Sequence, residues 1–197
     1  MKRKLKPILL VCLAAMLALV MAIPITAGAA ARAVKVSAVR TTGATEQMVV
    51  KGLTKSNKVV WKYTTSKYNA TELQFTKCRV NGTRVYIFDG TTMRVVRKST
   101  GAKISVTKNI VKAGHIVGFD GNKNVYVTGY YDTTLYKISP AGKILWQTKY
   151  DSTGNYWAKR IVVKSGKVTV ICDASDSDPG TSGNFPVVFS ADKGVIQ

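Results

Sequence analysis

The sequence lacks most of the side chains that catalytic sites use. It has one histidine, His115, among 197 residues, and no glycine-rich stretch of the kind that cradles phosphate. A metal site of histidine and cysteine ligands fails on the number of ligands. The one histidine lies in a predicted strand, and the sequence shows no serine or cysteine nucleophile for which it could act as the base. We therefore predict no catalytic residues, no such metal centre and no cofactor, and hence a protein that is not an enzyme.

Acidic residues are scarce as well. The chain has ten Asp and Glu residues and thirty Lys and Arg residues, which gives a formal net charge of +20. Loss of a leader that carries four of the basic residues would leave 26 against ten, or +16. This excess fits either a well-solvated surface or attraction to a polyanion, such as an anionic cell-wall polymer or a membrane. Nucleic acid is the weakest of these candidates, and we predict none, because no basic cluster is interleaved with aromatic residues in a recognisable module.

Helical periodicity is nearly absent beyond the N-terminus, which has the pattern of an export signal. Its basic residues are Lys2, Arg3, Lys4 and Lys6. An apolar run, Ile8 to Met21, follows, and then small residues between Thr26 and Ala33. We predict a helical signal peptide over residues 1–31, a single domain over 32–197, and a secreted or cell-surface protein. A retained membrane anchor is the alternative.

Cysteine is rare, and its three copies predict no covalent framework. Cys12 follows Val11 inside the apolar run, whereas a lipid-attachment site would have a small residue before the cysteine. Cys78 and Cys172 remain after processing, and export permits a disulfide. We nevertheless expect two free thiols, because the repeat described next places them on non-equivalent strands two repeats apart.

Four residues mark a repeat of short β-type segments. These markers are Asn57, Gly101, Gly142 and Gly194, spaced by 44, 41 and 52 residues. Each follows a polar turn and precedes a predicted strand, where glycine or asparagine suits a left-handed backbone. A period of forty-odd residues made of short strands is typical of propeller blades. The predicted fold is all-β: a partial β-propeller of three to four four-stranded antiparallel blades.

The predicted strands number fifteen, which is fewer than four full blades. They include a long strand, Ile110–Phe119, that contains His115, and a terminal strand, Val195–Gln197. The residue four after the last marker would be number 198, one beyond Gln197. We therefore expect a piece of a larger propeller, or a propeller completed by further blades or partner chains.

Tryptophan recurs at one place in the repeat. Trp61 and Trp146 each come four residues after a marker, and Ser105 holds that place in the repeat between them. We predict that both indoles are largely buried and fill the space between neighbouring blades. A ligand-stacking role is the alternative.

The segment Asp120–Gly129 resembles the bacterial seven-bladed β-propeller repeat, whose pattern runs Asp, Gly-Asn, Val-Tyr-Val-Thr-Gly. Asn184-Phe-Pro186 resembles the Phe-Pro that follows this core, and Gly142–Trp146 resembles quinoprotein-type (PQQ-like) blades. The resemblance implies an exported or cell-surface β-propeller. The calcium-binding acid and amide set of true quinoproteins is missing, so only the blade is similar.

Two weaker patterns are candidate ligand sites. The acidic segment with Asp173, Asp176 and Asp178 has alternating oxygen ligands that suit Ca²⁺, but Val187 stands where an EF-hand-like count needs an acid, so a solvated loop is the alternative. Three aromatic residues could stack on a glycan: Tyr130, Tyr131 and Tyr156.

The sequence thus favours an exported, non-catalytic β-propeller that acts as a scaffold or binding module at the bacterial cell envelope. Two alternatives stay open. One is a fragment of a larger extracellular enzyme whose catalytic residues lie in other blades. The other is a surface adhesin that binds glycan.

Overall fold

A computed structural model of the protein describes residues 30–41, 43, 45–69, 76–112, 114–130, 132–151, 156–174 and 184–197. Every regular element in these residues is a β-strand. The strands are β1 (Lys35–Arg40), β2 (Thr45–Glu46), β3 (Met48–Leu53), β4 (Val59–Thr64), β5 (Tyr68–Asn69), β6 (Thr76–Asn81), β7 (Arg84–Asp89), β8 (Thr92–Arg97), β9 (Lys103–Thr107), β10 (Ile116–Phe119), β11 (Val125–Thr128), β12 (Thr134–Ile138), β13 (Ile144–Lys149), β14 (Tyr156–Lys164), β15 (Lys167–Ala174) and β16 (Asn184–Ser190). The predicted signal peptide lies outside the described residues, apart from its last two positions.

The strands form four antiparallel sheets in chain order. Sheet I has the order β1-β3-β4, sheet II β6-β7-β8-β9, sheet III β10-β11-β12-β13 and sheet IV β14-β15-β16. The short strands β2 and β5, which the sequence did not predict, form a separate two-stranded ribbon. Sheets of three or four strands in sequence order agree with the predicted number and size of blades.

Side-chain alternation packs the two middle sheets, II and III, each against both neighbouring sheets. On β7, Val85 and Ile87 pack with Val50 of sheet I, whereas Tyr86 and Phe88 belong to the core shared with sheet III. A third core joins sheets III and IV. Successive residues of a strand point to opposite faces, so a strand between two cores must be apolar on both. This explains the continuous apolar runs at β7 and β11, where the sequence has Val-Tyr-Ile-Phe and Val-Tyr-Val.

The strand pairs place the sheets in one common register. In sheets I, II and III, the residue two positions after the marker is the first residue of the last strand that pairs with the strand before it. Val59 pairs in this way with Leu53, and Ile144 with Ile138. The same pairing in sheet II joins Lys103 and Val96. A register shift recurs next to this pair in sheets I, II and III. The strands β4, β9 and β13 are therefore equivalent, as are β3, β8 and β12.

Two predicted strands differ from the structure. Only Ile116–Phe119 of the predicted strand Ile110–Phe119 is extended, because Asn109 and Gly114 have left-handed φ values of 59° and 62°. The predicted terminal strand is a single bridge between Ile196 and Phe189. That bridge keeps the common register, since Ile196 lies two residues after its marker.

Candidate functional site

All four markers have the left-handed backbone that the repeat predicted. Their φ values are 65° at Asn57, 71° at Gly101, 88° at Gly142 and 69° at Gly194. Glycine adopts this conformation without steric cost, and asparagine is the best-tolerated substitute.

Each marker glycine lies against the outer strand of the preceding sheet. A Cβ atom built on Gly101 would lie 2.5 Å from Cγ of Trp61, and one on Gly194 would lie 2.6 Å from Cδ2 of Trp146. Between them, a Cβ on Gly142 would lie 2.8 Å from that of Ser105. The residue four after one marker therefore touches the next marker, and glycine is needed there for space as well as for conformation.

Trp61 and Trp146 are half-buried, not largely buried as the sequence suggested. They lie between neighbouring sheets at equivalent positions, and their indole N–H groups cross that boundary. Trp61 donates to the Lys98 carbonyl at 2.8 Å, and Trp146 to the Ala191 carbonyl at 3.2 Å. The indoles stay partly exposed because β4 and β13 are the outer strands of their sheets.

A threonine adds a second contact at two of these boundaries. Thr107 and Thr148, each six residues after a marker, donate their hydroxyls to the carbonyls of Gly142 and Gly194, both at 2.8 Å. Asn57 has no sheet before it in the described part of the chain, so a side chain fits there. Its Oδ1 accepts a hydrogen bond from Lys35 at 3.3 Å.

The candidate tyrosines are only partly covered by the structure. Tyr130 is half-buried and its ring stacks on Trp157, with ring centroids 5.8 Å apart and planes at 29°. Tyr131 and the side chain of Tyr156 lie outside the described residues. The sequence did not single out Trp157, because it falls outside the marker register.

The acidic segment is likewise described at one residue. Asp173 forms an ion pair with Lys159, with Nζ and Oδ2 2.6 Å apart. Asp176 and Asp178 lie outside the described residues. Among the residues that the structure does describe, no group of three or more His, Cys, Asp or Glu could hold a metal ion.

His115 is fully buried and packs into the core. Its Nε2 lies 3.1 Å from the Gly90 carbonyl and 2.9 Å from the Val111 carbonyl, so this nitrogen carries the proton. The ring lies against Phe88, with centroids 4.7 Å apart. Burial lowers the pKa of His115 to about 4, so the imidazole is neutral at physiological pH.

Both described cysteines are free thiols, as predicted. Cys78 lies on β6 of sheet II and Cys172 on β15 of sheet IV. Burial raises the pKa of each thiol to about 11. Protonated thiols are poor nucleophiles, so neither cysteine has the character of a reactive one.

Several of the few carboxylates are occupied by hydrogen bonds inside the fold. Asp89 accepts from the hydroxyls of Tyr63 and Tyr68, at 3.1 and 2.9 Å. Asp120 accepts from the Asn124 backbone and side chain, both at 2.8 Å, and from the Tyr126 hydroxyl at 3.2 Å. These bonds explain the Asp–Asn–Tyr spacing of the Asp120 segment and leave those acids poorly placed to offset surface lysines.

A basic cavity opens between the first strands of sheets I and II. Its volume is about 510 Å³, and its lining residues are Ala38, Arg40, Met48, Lys77, Cys78 and Arg79. Lys77 donates to the carbonyl of His115. Burial lowers the pKa of Lys77 to about 8, and the positive charges of Arg79 and Arg40 act in the same direction. No sequence pattern indicated this cavity, since its residues come from two separate segments, 38–48 and 77–79.

No helix that could cross a membrane occurs in the described part of the chain. The sequence matches no protein-family model and no curated protein.

Among solved structures, the fold is similar to BamB from Moraxella catarrhalis, a β-propeller protein, with a TM-score of 0.50 and 13% identity over 83% of this chain. The chain spans 50% of the length of that structure. A protein of unknown function from Bacteroides caccae matches with a TM-score of 0.45 and 16% identity, over 81% of this chain and 57% of the other. The first likeness, together with the four antiparallel sheets, shows an all-β fold of the propeller type.

Proposed function

We propose that the chain is an exported, non-catalytic binding module that attaches to anionic material of the cell envelope. The observation that carries the proposal is the internal use of its carboxylates. Asp89 and Asp120 serve the fold through hydrogen bonds, whereas Lys62, Lys103 and Lys143 are exposed. A surface with this imbalance attracts polyanions over a distance of several ångströms.

The proposal that the module is non-catalytic is supported by the state of its ionisable groups. His115 is neutral, buried and bonded to two backbone carbonyls. The thiols of Cys78 and Cys172 are protonated at neutral pH. A general base or nucleophile needs the opposite properties, namely access to a substrate and a pKa near the working pH.

The proposed location is supported by the N-terminal sequence. The basic residues before the apolar run, and the small residues after it, have the order of an export signal. Outside the cell, an anionic cell-wall polymer or an anionic membrane surface is the partner that the net charge favours.

The proposal predicts binding that depends steeply on salt. Purified full-length protein should sediment with vesicles containing phosphatidylglycerol, or with an anionic wall polymer, at about 20 mM salt. It should be released near 150 mM, because the Debye length falls from roughly 20 Å to about 8 Å over this range. Vesicles of phosphatidylcholine alone should not bind it.

A matched pair of variants separates charge from other surface effects. Lys103→Glu with Lys143→Glu should weaken sedimentation severalfold, whereas Lys103→Arg with Lys143→Arg should leave it unchanged, since both sites are exposed. If binding does not depend on the salt concentration, or if the protein does not bind at low salt, the proposal is wrong. The lysines would then serve only to keep the protein soluble.

A further inference from the structure

We propose that the exposed edge of β1 is the docking site of an extended acidic segment from a partner protein, which pairs with β1 as an added innermost strand of sheet I. The site consists of the β1 edge and the adjoining basic cavity. The inference rests on the proposed function only in treating the chain as a binding module, and its experiment can fail separately from the vesicle experiment.

The common register shows which strand position is open. Counting back from the markers, β1 is equivalent to β7 and β11, the second strands of their sheets. Sheets II, III and IV each have a strand before that position, namely β6, β10 and β14. Among the described residues, sheet I has none, so β1 ends the sheet where its counterparts are internal.

The backbone of β1 is suited to accept that strand. Thr41 donates its N–H to the Gln47 carbonyl at 2.8 Å, in the register that pairs β1 with β3. Alternate residues of an antiparallel strand direct their N–H and C=O groups to opposite sides. The backbone groups of Val36 and Ala38 are therefore directed away from β3, toward the open position.

The cavity supplies room and a specific surface beside this edge. It is lined by Ala38 and Arg40 of β1 and by residues 77–79 of β6, across from the open position. First strands of neighbouring sheets also approach each other elsewhere in the fold, since β10 contacts β14. The cavity thus lies where an added first strand of sheet I would meet β6.

The charge of the cavity indicates which side chains the bound segment should carry. Among the described residues, six line the cavity: Arg40, Lys77 and Arg79 are basic, and none of the six is acidic. Burial is the main reason that the pKa of Lys77 is lowered, and repulsion from the positive charges of Arg79 and Arg40 adds to it. Carboxylates would relieve that repulsion, and Arg guanidinium groups match carboxylates in geometry. Met48 and Cys78 give the same cavity an apolar part, so acidic residues should alternate with apolar ones.

Addition of a strand to a sheet edge gives affinity through the backbone and specificity through alternate side chains. We therefore choose as probe a blocked peptide of about six residues, alternating Glu and Val, because strands are typically five to six residues long. The readout is amide hydrogen exchange of the purified full-length protein by NMR. With the peptide bound, the amides of Val36 and Ala38 should exchange at least tenfold more slowly.

Two peptide controls and one pair of protein variants test the two parts of the proposal. The same peptide with Gln in place of Glu should bind at least tenfold more weakly, and a peptide methylated at alternate backbone nitrogens should not protect these amides. Arg79→Gln should weaken binding about fivefold. Lys149→Gln, an equal change of charge at an exposed position on the outer strand of sheet III, should leave it unchanged.

Affinity should also fall as the pH rises through about 8, where Lys77 loses its charge. The other groups around Lys77 are the guanidinium groups of Arg40 and Arg79, the His115 imidazole and the Cys78 thiol, and burial keeps the last two neutral at this pH.

Other outcomes would overturn the proposal. If the Gln peptide binds as tightly as the Glu peptide, the bound segment does not need to be acidic, and the proposal is wrong. Protection of the same amides without peptide would assign the edge to another occupant: a second copy of the chain if the protection depends on protein concentration, and a segment of the same chain if it does not. If the peptide does not bind at millimolar concentration, β1 is not a docking site. The basic residues would then serve to prevent association of this edge with other strand edges.

Discussion

Replacement of Gly101 by alanine is expected to lower the free energy of unfolding by about 2 to 5 kcal/mol. A left-handed backbone costs a residue with a Cβ roughly 1 to 2 kcal/mol, and overpacking of a filled site costs a further 1 to 3. Both apply here, because φ is 71° and the new Cβ would lie 2.5 Å from Cγ of Trp61. Denaturant unfolding followed by circular dichroism measures the loss.

Gly166→Ala is the matched control. Gly166 has nearly the same φ, 73°, but a Cβ there would meet nothing within 4 Å. This variant should lose only the conformational part, about 1 to 2 kcal/mol. Equal losses in the two variants would show that Trp61 does not press on Gly101 in solution.

Stability is expected to fall by about 3 kcal/mol between pH 6.5 and pH 4 because of His115 alone. Burial lowers the pKa of this imidazole from its ordinary 6.5 to about 4 in the folded state. The unfolded chain therefore binds the proton more readily within that interval, and acidification favours unfolding. Above pH 6.5 the contribution is fully present, and below about pH 4 it is lost. The difference between a pKa of 6.5 and one of about 4 corresponds to about 3 kcal/mol.

The measurement compares the pH dependence of unfolding in the natural protein and in His115→Gln. Carboxylates titrate near the lower end of this range in both proteins, so the difference between the two curves isolates the histidine. The natural protein should show the steeper decline. Parallel curves would mean that His115 is exposed to solvent or holds its proton when folded.

The repeat could be predicted from sequence wherever a local backbone requirement selects the residue. Gly101, Gly142 and Gly194 need a left-handed conformation, and that need is visible as a spacing. The structure of the Asp120 segment could also be predicted, because the Asp120 carboxylate accepts hydrogen bonds from residues four and six positions further along. The short β-type segments between the markers, with their period of forty-odd residues, then indicated the class of fold.

Properties that depend on neighbouring sheets could not be read in this way. The half-exposure of Trp61 follows from the position of β4 at the outer edge of sheet I, which no local pattern encodes. The strand predicted over Ile110–Phe119 was too long, because the apolar Ile110 and Val111 enter the core from a segment that is not extended. Lys77 and Arg40 meet only through the docking of two sheets.

At two of the three boundaries, between sheets I and II and between sheets III and IV, a marker glycine lies against the indole of the sheet before it. Nuclear Overhauser contacts between indole and glycine protons test this directly, with the indoles assigned through Trp61→Phe and Trp146→Phe. We expect contacts from Trp61 to Gly101 and from Trp146 to Gly194. Cross-strand contacts within each sheet, without these two between sheets, would contradict it.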